Sequence, residues 1–255
     1  MPKFNYLSRW FASYFLYIVF GIGGLMISLF AYPLLSLLVR NPVQRSHYGQ
    51  YLIYLCFKSF TFLMKLFGIC TIEIIGMEKL QEQDMFIITN HPTLIDVVIL
   101  LSMVKRCDCV VKAKLMDNPF IKGPLKVAAY IVNASPEQLI ESCVNALNKK
   151  HSLLMFPEGT RTKNMNELHF KRGAAKIAIK AKKDMTPIVI KCQPRMLGKE
   201  TKWYKIPDTK PHFTIEVGNK ILVQEFLDIN KSENIQSRNL NNHLVKYFKG
   251  ELQIE

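Results

Sequence analysis

The sequence predicts an α/β fold: a mixed, mostly parallel sheet flanked by helices, behind an N-terminal hydrophobic helical membrane element. Three observations predict it. Short β-rich runs alternate with helical patterns after Cys70, the signature of a sheet covered by helices. A run of 29 residues without a charge, 11–39, precedes them and exceeds the roughly 20 residues that cross a bilayer core. Two short polar motifs lie at the ends of predicted strands, where α/β sheets bind ligands. At 255 residues and 49% hydrophobic, the chain can bury a core and is not a disordered polymer. Its 12 glycines and 12 prolines show no period, which excludes collagen-like and solenoid arrays. The net charge of +14 calls for an anionic partner: nucleic acid, a membrane surface or a phosphorylated substrate.

The elements follow in order. The 11–39 run is too long for the apolar part of a signal peptide. Gly21, Gly23 and Gly24 are expected to loosen its middle, and Pro33 to kink or break it. It forms either one tilted spanning helix or two shorter helices in one leaflet. Residues 51–70 are apolar except for Lys58 and Lys65, seven apart on one helical face among Phe57, Phe60, Leu63, Met64 and Phe67. Such a stretch lies in a membrane interface with its lysines among headgroups, or packs on the protein's own core. Residues 1–70 are therefore assigned to the membrane element and 71–255 to a single α/β domain. Strands are predicted at 71–75, 85–89, 109–111, 130–132, 152–156, 188–191 and 213–217. Helices are predicted at 94–104, 136–148 and 173–182, with a closing helix at 232–248. Residues 217–220 read as a turn leading into an antiparallel segment. The six cysteines are read as reduced.

Asn90-His91-Pro92-Thr93-Leu94-Ile95-Asp96 follows a strand and opens a helix, with Pro92 suited to the first helical position. A turn at His91 can bring the Asp96 carboxylate back to the imidazole. That pair is what a general base requires, an imidazole titrating near neutrality with a carboxylate to fix its tautomer. The second motif, Phe156-Pro157-Glu158-Gly159-Thr160-Arg161-Thr162, offers a small turn, hydroxyls and a guanidinium, which suit a phosphate. Phe170-Lys171-Arg172-Gly173 then opens a helix, whose N-terminus favours anions. Residues 149–183 hold ten basic and two acidic residues, +8 of the net charge.

These two motifs, in this order and about 60 residues apart, resemble the glycerolipid acyltransferases of the 1-acyl-sn-glycerol-3-phosphate acyltransferase type. The resemblance covers residues 75–190, and the hydrophobic N-terminus fits it. Val111-Lys112-Ala113-Lys114-Leu115, Asn118-Pro119-Phe120 and Ile121-Lys122-Gly123-Pro124 match a further block. Many relatives end that block in an arginine; this chain has Asn133 there, which brings hydrogen bonds without charge. Thr186-Pro187-Ile188-Val189-Ile190 matches the last block, where the resemblance implies a structural, motif-positioning role for Pro187 along the acyl or thioester path. The resemblance implies acyl transfer from acyl-CoA or acyl carrier protein to a lysolipid hydroxyl. His91 is then the base and Asp96 its orienting partner. Glu158, Gly159, Thr160 and Arg161 hold the acceptor, Lys112, Lys114 and Lys171 meet phosphate or the donor's anionic groups, and Asn90 and Pro157 position the motifs. No cofactor and no metal are expected. His47, His151, His169, His212 and His243 form no evident ligand cluster in the sequence. The expected partners are membrane phospholipids, the lysolipid acceptor and the thioester donor, not nucleic acid. The expected location is the inner, or cytoplasmic, membrane with the catalytic domain facing the cytoplasm.

Other readings remain open. The acceptor is lysophosphatidic acid on the strength of Arg161, or another hydroxylated lipid, such as an amino-acid lipid or a specialised lipid product, on the strength of Asn133. A non-catalytic membrane-surface protein of the same fold is the alternative outside enzymes. A serine hydrolase would need a Gly-x-Ser-x-Gly elbow, which the chain lacks.

Overall fold

The computed structural model describes residues 2–80, 83–133, 135–164 and 167–254. They form a seven-stranded sheet in the order β1-β7-β6-β2-β5-β3-β4. The strands are β1 (Thr71–Ile75), β2 (Phe86–Thr89), β3 (Asp108–Lys112), β4 (Ile131–Asn133), β5 (Leu153–Met155), β6 (Met185–Gln193) and β7 (His212–Val217). Every pairing is parallel except β6 with β7, so β7 and β1 run against the other five. All seven predicted strands are present, with ends that shift by a few residues. The antiparallel segment expected after residue 220 shrinks to one bridge, Met185 with Ile221.

Helices cover both faces. α6 (Pro136–Asn148), α7 (Gly173–Ala181) and α8 (Glu233–Leu252) bury one core with Phe86, Ile88, Leu153 and Val189 of the sheet. α4 (Asp96–Leu101) and α5 (Pro119–Val127) lie on the other face, together with the N-terminal helices. α4 starts at Asp96 rather than near Leu94, because residues 91–95 form a turn held by side-chain bonds from Thr93. α5 has no counterpart among the predicted helices. Asn118 caps it, accepting from Phe120 N, and Pro119 occupies its first position, but Gly123 and Pro124 inside it hide its periodicity.

α1 (Pro2–Met26) continues through a π-helical turn (Ile27–Ala31) into α2 (Tyr32–Leu38). Pro33 therefore does not break the helix; the wide turn just before it absorbs the missing N–H. Gly24 serves packing rather than looseness. A Cβ on it would lie 1.9 Å from the Phe120 carbonyl oxygen, which Pro124 deprives of its usual helical donor. α3 (Pro42–Leu66) begins at the Asn41 cap and packs Ile53, Tyr54 and Met64 inward. Its Lys58, Phe62, Lys65 and Leu66 stay exposed. Leu16, Ile53 and Met64 share one core with Ile99, Ile188 and Phe213, so the N-terminal helices and the sheet are packed as one body. At the N-terminal edge of β3, Gln50 of α3 donates to Asp108 Oδ1 at 2.6 Å, and His151 Nδ1 meets Asp108 Oδ2 at 3.0 Å. His47 stacks edge-on to His151. All six cysteines are free, five of them buried.

Candidate active site

The candidate residues gather at the C-terminal edge of the parallel strands. Where β2 ends, the Asn90 side chain takes the place of a peptide. Its Nδ2 donates to Ile190 O and its Oδ1 accepts from Ile190 N, both at 2.8 Å, which ties the turn to β6. His91 follows, and its Nδ1 lies 2.9 Å from Asp96 Oδ2. A carboxylate only accepts, so Nδ1 donates and Nε2 is left as the ring's acceptor. Asp96 has no exposed surface, while the His91 side chain keeps 16% of its own. Thr93 adds two donors to the same carboxylate, its N–H at 2.7 Å and its hydroxyl, in the manner of a capping box. Three donors thus meet a fully buried charge, which removes the cost of leaving it unpaired. Phe156 stacks on the His91 ring with centroids 4.2 Å apart.

The second motif is bonded to the first. Glu158 Oε1 accepts from His91 N at 2.9 Å and from the Thr162 hydroxyl at 2.8 Å, and Thr162 N donates to His91 O at 2.8 Å. Glu158 is buried, and burial raises its carboxyl above the usual range, against the pull of those donors. Gly159 has a φ of +66°, and the Lys171 side chain lies over it. Pro157 is buried and its carbonyl accepts from Lys171 N. Thr160 and Arg161 are half-exposed.

Four cations meet beside this loop. Lys112 is pushed below the usual lysine range, first by partial burial and then by Lys199, Lys171 and Arg161. Mutual repulsion of this kind favours binding an anion, which relieves it. Asn133 is aligned with Lys112 in the β3–β4 register, at the same edge. Lys114 lies exposed on the turn beyond β3 and is not among the cations acting on Lys112. Pro187 is not brought to His91. It is buried within β6, between Met185 and Val189 of the α7–α8 core, and close to Gly218.

Two residues are absent from the sequence reading, Lys199 and Arg195. Arg195 donates Nε to Pro92 O at 2.9 Å, Nη1 to Lys163 O at 3.0 Å and Nη2 to Thr162 O. One guanidinium therefore joins both motif loops, and Asp96 and Glu158 both act on its charge. Neither residue belongs to a local motif, so no signal in the sequence marks them.

Residues 71–191 match the family model described as Acyltransferase. They are an acyltransferase-family domain. The domain contains both motifs and every sequence-predicted site residue. A Saccharomyces cerevisiae protein named 1-acyl-sn-glycerol-3-phosphate acyltransferase is 27% identical over 169 residues, covering 62% of this chain and 54% of that protein. A protein of the same name from Helicobacter pylori is 29% identical over 126 residues, 46% of this chain and 53% of that one. The chain thus spans about half the length of these relatives. The crystal structure of the 1-acyl-sn-glycerophosphate (LPA) acyltransferase PlsC from Thermotoga maritima superposes with a TM-score of 0.68 at 17% identity, over 97% of this chain and 98% of that one. The acyltransferase fold therefore extends over the whole chain, N-terminal helices included.

Proposed function

We propose that this acyltransferase is a membrane-associated enzyme. It moves a fatty acyl group from a thioester, on coenzyme A or acyl carrier protein, to the hydroxyl of 1-acyl-glycerol-3-phosphate, giving phosphatidic acid. The observation that carries the reading is the His91–Asp96 pair set beside the cations Lys112, Arg161, Lys171 and Lys199. His91 Nε2 takes the acceptor's hydroxyl proton as the oxygen attacks the thioester carbonyl. The tetrahedral intermediate collapses with the C–S bond breaking, and the imidazolium returns the proton to the leaving thiolate. Asp96 holds the ring and steadies its charge. The acceptor is itself the nucleophile, so no acyl-enzyme and no cofactor is needed. Glu158, which the resemblance assigns to the acceptor, also supports the His91 backbone. Arg161 and the lysines receive the phosphate.

A second reading of the acceptor rests on Asn133, which stands level with Lys112 and carries no charge. It fits a lipid whose headgroup offers hydroxyls or amides in place of a phosphate monoester.

The N-terminal helix supports a membrane location, and its packing supports one geometry. The helical stretch Asn5–Leu38 is long and apolar enough to cross a bilayer. Yet Arg9 bonds to the carbonyls of Asp208 and Thr209, Tyr17 to that of Trp203, and Ser28 meets Pro119 of α5. From Arg9 to Ser28 a helix rises about 28 Å, close to the whole hydrocarbon thickness of about 30 Å. An upright helix would drag the α/β body into the bilayer along that length. We therefore read α1 as lying in one leaflet, with Phe11, Phe15, Ile18, Ile22 and Met26 facing lipid. The thioester donor places the domain on the cytoplasmic side.

The test is acyl transfer by the purified protein in detergent, with acyl-CoA and acyl carrier protein donors against lysolipids with and without a phosphate monoester. Transfer to lysophosphatidic acid is expected, with His91→Ala and Asp96→Asn losing about 10²–10⁴-fold in kcat while the fold persists. Undiminished turnover in His91→Ala would reject the base; transfer only to phosphate-free acceptors would select the Asn133 reading.

A further inference from the structure

Between β6 and β7 the chain makes an excursion, residues 194–211, that touches both the cationic end of the site and α1. Its first part belongs to the site: Arg195 joins the motif loops, and the Leu197 and Gly198 carbonyls accept from Arg161 Nη1, both at 2.9 Å. Its next part, residues 199–205, turns outward. Trp203 is 57% exposed and Tyr204 42%. Lys199, Lys202 and Lys205 accompany them, against Glu200 as the segment's one acid, for a net +2. Lys202 Nζ lies 5.7 Å from the Tyr204 ring. Exposed aromatics among lysines match the chemistry of an anionic headgroup layer, apolar below and negative above.

Position supplies an independent argument. Tyr17 Oη donates to the Trp203 carbonyl at 2.8 Å, and the Trp203 ring lies 5.5 Å from Tyr17 and 6.0 Å from Tyr14. Trp203 is thus fastened beside α1, whose neighbouring face carries the exposed row Phe11, Phe15, Ile18 and Ile22. A helix lying in one leaflet brings this segment to the interface with it.

The geometry points to residues 199–205 as a second lipid-surface contact, with Trp203 and Tyr204 in the headgroup layer of an anionic bilayer and Lys202 and Lys205 on its phosphates. The inference deepens the proposed function and rests on its reading of α1. One end of the excursion holds Arg161 and the other meets the bilayer. A phosphorylated acceptor therefore passes from the headgroups to the cationic cluster along protein rather than through open water.

The chain's two tryptophans make the test direct, since Trp10 reports on α1 and Trp203 on the excursion. The full chain carrying Trp10→Phe or Trp203→Phe is placed in vesicles of equal parts phosphatidylcholine and phosphatidylglycerol, with lipids brominated in the upper acyl chain. Quenching of both tryptophans is expected. Quenching of Trp10 alone would overturn the inference and leave α1 in the membrane; quenching of neither would overturn the α1 reading as well. Kinetics give a second readout. Trp203→Ala combined with Lys202→Gln and Lys205→Gln should raise the half-saturating surface concentration of vesicle-borne acceptor about fivefold per lysine, the equivalent of about 1 kcal/mol each. The rate on a short-chain, water-soluble acceptor should not change. An equal loss on both acceptors would mean that the segment is only structural.

Discussion

Arg195 is the side chain on which the two motif loops converge, and it stands outside both. Its three bonds go to the carbonyls of Pro92, Thr162 and Lys163, and its charge faces Asp96 and Glu158. Lysine keeps the charge but not the planar fork that reaches three carbonyls at once. Arg195→Lys should therefore lower kcat with the pH profile in place. Arg195→Met also removes the cation. Glu158, already held up by burial, then protonates at still higher pH, and the acid limb of kcat/KM should move toward neutrality. A pH profile unmoved in Arg195→Met would reduce the residue to a loop tie. His91, Asp96, Glu158 and Arg161 were legible in the sequence because their chemistry lies in two contiguous motifs. Arg195 and Lys199 were not, since they reach the site only after the chain has run through β6 and turned back. Glu158 was legible as part of the site, yet its partners, the backbone of His91 and the hydroxyl of Thr162, emerge only from the geometry.

At the scale of elements, α5 is the piece the sequence concealed, and it is where α1 and α3 dock. Gly24 of α1 meets the Phe120 carbonyl, and Gly49 of α3 meets that of Val127, 1.8 Å from where a Cβ would stand. Backbone cannot yield as a long side chain can, so a methyl group at either position must push two helices apart. Gly24→Ala and Gly49→Ala should each destabilise by about 1–3 kcal/mol. In detergent this appears as a melting temperature lower by about 2–4 °C per kcal/mol. Unchanged melting would show that the helices do not depend on this close approach. Strands were legible because each is a short β-rich run bounded by turns, and α6 because Ser135 and Pro136 announce its start. α5 failed the same reading because its proline and glycine, breakers in most helices, here supply a free carbonyl and a flat surface for α1.

For the whole molecule, the proposed membrane location raises the question of how an α/β body and an apolar helix would share one bilayer. The 29 uncharged residues fit both a span and a leaflet, and the flanking charges do not choose. Packing favours the leaflet reading proposed for α1, because α1 and the π-helical turn after it touch the body from Arg9 to Ser28 while the opposite face of α1 is apolar and exposed. A span would place Asn5 and Val39 on opposite sides of the membrane, whereas a helix lying in one leaflet leaves both on the same side. Cysteines introduced singly at these two positions, in a background without the half-buried native thiol of Cys56, should both react with a membrane-impermeant maleimide from the cytoplasmic side of inverted vesicles. Neither should react from the other side. Labelling of the two ends from opposite sides would establish a span and would require the contacts of Arg9, Tyr17 and Ser28 to part in the membrane. The same result would also detach Trp203 from the interface. The orientation of one helix thus decides whether the cationic cluster beside His91 opens toward the headgroups, the source of the phosphorylated acceptor in the proposed function.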